Sequence, residues 1–317
     1  MKVLKNYHDI KPHDAQRGVA LGNFDGIHLG HQALLHRLTK ECGRLQLEPT
    51  VYTFLNHPGM ILENHQKLIY PARITPIPLK IKIMEKLGVK LLFLDTFTTE
   101  LMIMDPQEFV EQILVDSMKA KLLVVGDDFR FGKAAGGDIH LLRKLSTQYG
   151  YELIVVEPVF CGNRKISSSQ IRKHIEKGEM EAVTSLLGRP FMMLNQVERG
   201  YGRGKQLGYP TANLILEEQQ MVPADGVYAT LVHIDGKVYM GATSIGSNPT
   251  FGTQSKTIET YIIDFDHMLY EKEIELYFYK KIRDQITFDN PESLKSKIRQ
   301  DVQEIKAYLQ TQKTMIV

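Results

Sequence analysis

Along the first half of the chain, short apolar runs alternate with longer stretches of helical spacing. Residues 18–22 (GVALG), 50–54 (TVYTF), 90–95 (KLLFLD), 121–126 (KLLVVG) and 152–156 (ELIVV) are nearly unbroken apolar runs. A strand with one wet face alternates apolar and polar residues. Unbroken runs instead predict strands of a parallel sheet covered by helices on both faces. Between them, Asp105 can cap a helix, Pro106 suits its first turn, and Glu108 stands three residues after the cap. Strand–helix alternation predicts a doubly wound α/β domain, whose ligands gather at the carboxyl ends of the strands.

The pattern changes near Arg189. Residues 226–234 and 237–245 are β-rich runs around Asp235-Gly236, a strong hairpin signal, and residues 257–265 (TIETYIIDF) and 272–282 (KEIELYFYKKI) read as further strands. Closely spaced strands with turn signals predict a small antiparallel barrel or sandwich. A last helix follows. Asn290 can cap it, Pro291 fits its first position, and Leu294, Ile298, Val302, Ile305 and Leu309 fall on one face.

Composition narrows the class of protein. A length of 317 residues favours two domains, and 43% hydrophobic with 24% charged residues is ordinary for a globular protein. The net charge of +2 gives no footprint for nucleic acid or a membrane surface. Cys42 and Cys161 are too few for a disulfide framework. The polar start MKVLKNYHDIKPHD is no signal peptide, and no apolar run approaches the roughly 20 residues of a membrane span. The expected protein is cytoplasmic, a monomer or weak homo-oligomer acting on small molecules.

Candidate chemistry starts at residues 20–35 (ALGNFDGIHLGHQALL). The strand runs into a glycine-containing loop, and a helix starts near His28. His28 and His31 then share a face of the first turn. Free N–H groups and the helix dipole attract phosphate there, and imidazole N–H groups add donors. Surface histidines or a His-x-x-His metal site are the alternatives. A second basic element lies at 163–175 (NRKISSSQIRKHI), where Arg164, Ser167, Ser168 and Arg172 surround a helix start capped by Ser168 or Ser169. In 124–137 (VVGDDFRFGKAAGG), Phe129 and Phe131 suit a flat ring system and Asp127 and Asp128 suit ring or amino N–H groups; a tight loop with one core phenylalanine is the plainer reading. In 199–214 (RGYGRGKQLGYPTANL), the glycines can wrap phosphates. Thr211 and Asn213 point the same way on an extended segment, offering oxygens for Mg²⁺. This is not a P-loop, because Gln206 follows Lys205.

The motif Gly22 to His31 (GNFDGIHLGH) resembles the signature of the Rossmann-like nucleotidyltransferases. With TFLNHP, VVGDDFRFG, ISSSQIR and LLGRPF in order, the first half resembles the amino-terminal domain of bacterial FAD synthetases. The second half, with LGYPTAN, PADGVYA, SIGSNPTFG and TIETYIIDF, resembles the riboflavin kinases. The resemblance implies a nucleotidyltransferase domain over residues 1–187 and a riboflavin kinase domain over 188–317. The latter would hold a six-stranded barrel at about 190–288 and a helix at about 291–311. It implies ATP, riboflavin, FMN and FAD as substrates and products, with Mg²⁺ as cofactor.

His28 and His31 would then stabilise ATP phosphates during adenylyl transfer, with Gly22, Phe24, Asp25, Asp128, Arg164, Ser167, Ser168 and Arg172 holding the nucleotide. Asn23, Asn56, His57, Phe129 and Phe131 would meet the flavin. In the barrel, Gly202, Gly204, Lys205, Gly208, Thr211 and Asn213 would bind ATP, Thr211 and Asn213 would hold Mg²⁺, and Glu259 would be the general base. Asn56 stands where the family has proline, Ser169 where it has threonine, Arg199 and Tyr261 where it has histidine. The rival readings are an FMN adenylyltransferase with a degenerate barrel, and a flavin-sensing module without turnover.

Overall fold

The five apolar runs of the first half become neighbours in one parallel sheet. The computed structural model describes residues 1–5, 15–56, 72–199, 204, 208–216, 220–248 and 255–312. By packing, these form two compact units, Met1–Pro71 with Ile77–Ser167, and Ala72–Pro76 with Ser168–Val317. The segment Ala72–Pro76 joins the second unit partly through the Met221 N–H, which donates to the Arg73 carbonyl at 2.9 Å.

The first unit holds strands β1 (Lys2–Leu4), β2 (Arg17–Leu21), β3 (Glu48–Phe54), β4 (Leu91–Asp95), β5 (Ala120–Gly126) and β6 (Glu152–Val156), in the order β1-β4-β3-β2-β5-β6. Every pair is parallel. Helix α1 (Leu29–Leu45) follows β2 and α2 (Ile77–Lys86) precedes β4. Helices α3 (Thr99–Ile103) and α4 (Pro106–Glu108) come next, and α4 runs on as a wide-turned helix, Phe109–Ser117; α5 (Ile139–Tyr149) lies between β5 and β6. Asp105 caps α4, its carboxylate accepting from the Gln107 N–H at 2.8 Å.

Alternate residues of β2 explain the unbroken run. Val19 and Leu21 enter a core with Phe109, Val110 and Leu142, while Ala20 enters one with Leu35 and Leu38 of α1 and Met84 of α2. Both faces are dry, so no position can be polar without a partner. β1 joins the sheet edge beside β4. Its three residues, Lys2 among them, are too few to show a pattern.

The second unit opens with α6 (Ser168–Lys177) and α7 (Met180–Leu187), then β9 (Phe191–Glu198), β10 (Thr211–Leu214), β11 (Gly226–Ile234), β12 (Lys237–Asn248), β13 (Ser255–Ile262) and β14 (Glu273–Arg283). A two-stranded ribbon, β7 (Phe160–Cys161) and β8 (Arg164–Lys165), ends the first unit. The six later strands close into a barrel in the order β10-β13-β12-β11-β14-β9. Asp235 and Gly236, at φ 48° and 78°, make the left-handed two-residue turn that joins β11 to β12. Three threonines, each fully buried, form a row of hydroxyls across the barrel: Thr230 to Thr243 at 2.8 Å and Thr243 to Thr260 at 2.9 Å. Thr230 also donates to the Gly241 carbonyl at 3.1 Å, so the row is satisfied internally.

The closing helix α8 (Pro291–Thr311) lays Ile305 and Leu309 against Val227, Ala229, Leu231 and Tyr279. Asn290 caps it through the Ser293 N–H at 2.9 Å. Asp301 on the same helix is buried and paired with Arg283 at 2.8 Å, a contact the apolar face does not reveal.

Candidate active site

In the first unit the candidate site is the turn from β2 into α1. Three residues of residues 22–28 hold left-handed backbone: Phe24 (φ 47°), Gly26 (φ 85°) and Ile27 (φ 42°). Phe24 and Ile27 are fully buried, so their apolar side chains pin a conformation that costs a residue bearing a Cβ about 1–2 kcal/mol. Asp25 is buried in the same loop. The Asn23 carbonyl accepts from Thr53 Oγ1 of β3 at 3.1 Å and from Lys80 Nζ of α2 at 3.0 Å.

His28 is the N-cap of α1, one residue before the helix proper, and its Nδ1 accepts from the His31 N–H at 3.3 Å. That bond leaves the ring hydrogen on Nε2. The His31 ring stacks on the His28 ring, centroids 3.7 Å apart and planes within 17°. Burial first, then the neighbouring His28 and Lys80, holds the His31 imidazole well below its ordinary pKa. His31 is therefore neutral near pH 7. Its shielded Nδ1 has no hydrogen-bond partner among the described residues. The free N–H groups of a helix end suit a phosphate oxygen. Among the described residues no three His, Cys, Asp or Glu side chains gather into a metal cage.

The other residues expected to act in adenylyl transfer, of which Ser168 and Arg172 belong to the second unit, divide by environment. Asp128 and Asp127 are exposed and share Lys165 Nζ, at 2.7 and 2.9 Å. Burial lowers the Lys165 pKa, but its hydrogen bonds to both carboxylates outweigh it and hold the amine above its ordinary value. Phe131 is a core residue, packed on Phe109, and half-buried Phe129 stacks on it with centroids 5.6 Å apart. The Asn56 amide exchanges two hydrogen bonds with the Phe97 backbone, at 2.9 and 2.7 Å. Arg164 is exposed on β8. Helix α6 begins at Ser168, which puts Ser167 at the cap position, ahead of both Ser168 and Ser169, the two expected caps. Half-buried Arg172, on α6, donates from Nε to the Ala72 carbonyl at 3.2 Å. His57 lies outside the described residues.

In the second unit the candidate site lies on two neighbouring strands. Asn213 of β10 stands opposite Glu259 of β13, and Thr211 opposite Tyr261. The Thr211 hydroxyl donates to Glu259 Oε2 at 3.1 Å. Hydroxyl, amide and carboxylate are hard oxygen donors of the kind Mg²⁺ takes. Gly204 accepts from the Tyr209 N–H at 2.9 Å, and Gly208 sits at φ 84° in the approach to β10. Arg199 stacks over the Tyr270 ring at 5.2 Å, and Tyr261 meets the Tyr209 ring edge-on at 5.2 Å. Gly202 and Lys205 lie outside the described residues.

Sequence reasoning missed Lys80, Thr53 and Lys165. Each acts through a contact distant in sequence, although Thr53 and Lys165 lie inside motifs already singled out.

Comparison with known proteins places the two halves in two families. The FAD synthetase family model matches residues 10–170 and the riboflavin kinase family model residues 187–309. The chain is 35% identical to the bifunctional riboflavin kinase/FMN adenylyltransferase of Listeria monocytogenes over 97% of its length and 98% of the relative's. It is 32% identical to the enzyme of that name from Escherichia coli K12, over 95% and 96%. A crystal structure from Streptococcus pneumoniae described as a macrolide-efflux protein superposes with a TM-score of 0.86, at 32% identity over 96% of this chain and 98% of that one. Among the described residues no helix is long and apolar enough to cross a membrane. Parallel sheet, histidine pair at a helix end and closed barrel define a nucleotidyltransferase-like domain joined to a flavokinase barrel. The chain belongs to the bifunctional riboflavin kinase/FMN adenylyltransferase family.

Proposed function

We propose that this chain phosphorylates riboflavin to FMN in its barrel domain, residues 188–317, and adenylylates FMN to FAD in its sheet domain, residues 1–187. The observation that carries the reading is the stacked His28–His31 pair at the open end of α1, with the His31 ring held uncharged by burial. Imidazole N–H groups donate hydrogen bonds to phosphate oxygens without transferring a proton, which suits a step in which no proton moves.

In adenylyl transfer an FMN phosphate oxygen attacks the α-phosphorus of ATP. The bond to the bridging oxygen breaks and pyrophosphate leaves. His28 and His31 donate to the phosphate oxygens as charge moves onto them. Gly22, Phe24 and Asp25 shape the loop around the nucleotide, while Asp128, Arg164, Ser167, Ser168 and Arg172 bind it. Asn23, Asn56, His57, Phe129 and Phe131 meet the flavin; Asn56 and Phe131 do so chiefly by shaping the loops, since the amide and the ring are already engaged. Catalysis is positioning and charge stabilisation.

In the kinase step Glu259 takes the proton of the terminal ribityl hydroxyl as it attacks the γ-phosphorus of ATP, and ADP leaves. Thr211 orients the carboxylate through its 3.1 Å bond. Gly202, Gly204, Lys205 and Gly208 wrap the phosphates. Thr211 and Asn213 would hold Mg²⁺, whose charge would offset that of the ATP phosphates.

The test is direct. Purified protein is incubated with riboflavin, ATP and Mg²⁺, and the three flavins are resolved over time. FMN appearing before FAD is the expected result. FAD formed only from supplied FMN removes the kinase assignment, and no turnover of either flavin removes both.

A further inference from the structure

The loop that carries the histidine pair is held from behind by a charge. Lys80 is 4% exposed and reaches from α2 to the Asn23 carbonyl, 57 residues away in the chain, at 3.0 Å. Burying an ammonium costs more than burying an apolar side chain of the same length. Its neighbours on α2, Leu79 and Met84, show that apolar residues fit this helix face well. The same carbonyl takes Thr53 Oγ1 at 3.1 Å, so one atom ties the loop to two elements. Immediately after it come the left-handed residues Phe24 and Ile27, a conformation that persists only where the surroundings over-determine it.

We propose that Lys80 is a positioning residue for adenylyl transfer: it fixes residues 22–28 through the Asn23 carbonyl and sets a buried positive charge behind the phosphate-binding end of α1. The inference rests on the reading of the first unit as an adenylyltransferase. A fixed cation in a water-poor site stabilises negative charge growing on nearby phosphate oxygens without reorganising as it grows. The charge is also felt by His31, where it adds to burial and His28 in keeping the ring neutral. The titratable and charged groups around His31 are thus His28 from the helix cap and Lys80 from α2, with Asp25 the buried carboxylate of the loop itself.

The experiment compares wild type, Lys80→Met, Lys80→Gln and His28→Ala as full-length proteins. Adenylylation of supplied FMN and phosphorylation of riboflavin are followed separately across pH. Lys80→Met is expected to lower kcat for adenylylation at least about tenfold. Phosphorylation should stay within about twofold. The acid limb of kcat/KM for adenylylation should move to higher pH, because His31 has lost a repelling cation. A structural filler role would not move that limb. Lys80→Gln can still donate to Asn23 without the charge, so it keeps the question open to test should Lys80→Met fail to fold. Its limb should shift while less of kcat is lost. An unshifted limb with wild-type kcat in the folded variants overturns the inference alone. Adenylylation surviving in His28→Ala, or absent from wild type, overturns the reading of the first unit and this inference with it.

Discussion

The two candidate sites solve the same problem, holding ATP beside a flavin, with different materials. The sheet unit uses a loop. Its backbone is bent at Phe24, Gly26 and Ile27, and the working side chains stand at a helix end. The barrel unit uses strand register. Thr211, Asn213 and Glu259 face one another because β10 and β13 pair that way. A loop site puts backbone N–H groups and a dipole at the ligand but has to be braced from outside, here by Thr53 and Lys80. A register site is braced by its own ladder and offers side-chain oxygens instead. That division matches the chemistry: adenylyl transfer moves no proton, whereas phosphorylating a hydroxyl needs a base.

The strongest way to break this comparison is a reciprocal pair of variants. Glu259→Gln should lower FMN formation by roughly 10²–10⁴-fold and leave FAD formation from supplied FMN within about twofold. His28→Ala should lower FAD formation by roughly 10²–10³-fold and spare FMN formation. Both are read from one chromatographic separation of the flavins. Loss of both activities in either folded variant would mean the sites are not separate.

A smaller effect tests how the register site is braced. Thr211→Val keeps the shape of the strand but removes the hydroxyl that donates to Glu259. A hydrogen bond to a charged group contributes about 1.5–3 kcal/mol, so the kinase rate should fall by about one to two powers of ten. The adenylylation rate is the control and should not change.

Much of this was legible because it is local. The parallel strands showed as unbroken runs since both sheet faces are dry. The histidine pair showed through its three-residue spacing, and the hairpin through Asp235-Gly236. What stayed hidden depends on contacts distant in sequence. Nothing near Lys80 or Thr53 says that both end on the Asn23 carbonyl. Nothing near Asn56 says that Phe97 takes up its amide. Thr230, Thr243 and Thr260 look like ordinary strand threonines, yet barrel closure buries them in one hydroxyl row. β1 was too short to show any period.

The loop site should also answer to acid through His31. His31 has a folded pKa below its unfolded value near 6.5, so between those values the unfolded chain binds a proton that the folded chain refuses. The sheet unit should therefore be at full stability above about pH 6.5. Below that it should lose up to about 1.4 kcal/mol per pH unit, until the folded ring protonates too. Hydrogen exchange on β2 and β5 amides reads this unit alone. His31→Gln should flatten the dependence, and an unchanged slope in that variant would place the titration on another group.

The smallest expected effect concerns the two carboxylates the sites share in kind but not in setting. Glu259 is half-buried and held by a strand neighbour, while Asp128 is exposed and held by Lys165, itself more than a third exposed. Exposed ion pairs contribute between zero and about 1 kcal/mol, because water screens them and the long lysine loses freedom. Lys165→Ala should therefore change the stability of the sheet unit by no more than about 0.5 kcal/mol, measured by the same hydrogen exchange. It should also free both Asp127 and Asp128 from their shared cation, so KM for ATP in adenylylation should move by a few-fold while kcat stays. A large loss of stability would mean that this pair, like the Asn23 carbonyl, is a brace rather than a contact, and that the loop site depends on its surroundings at more than one point.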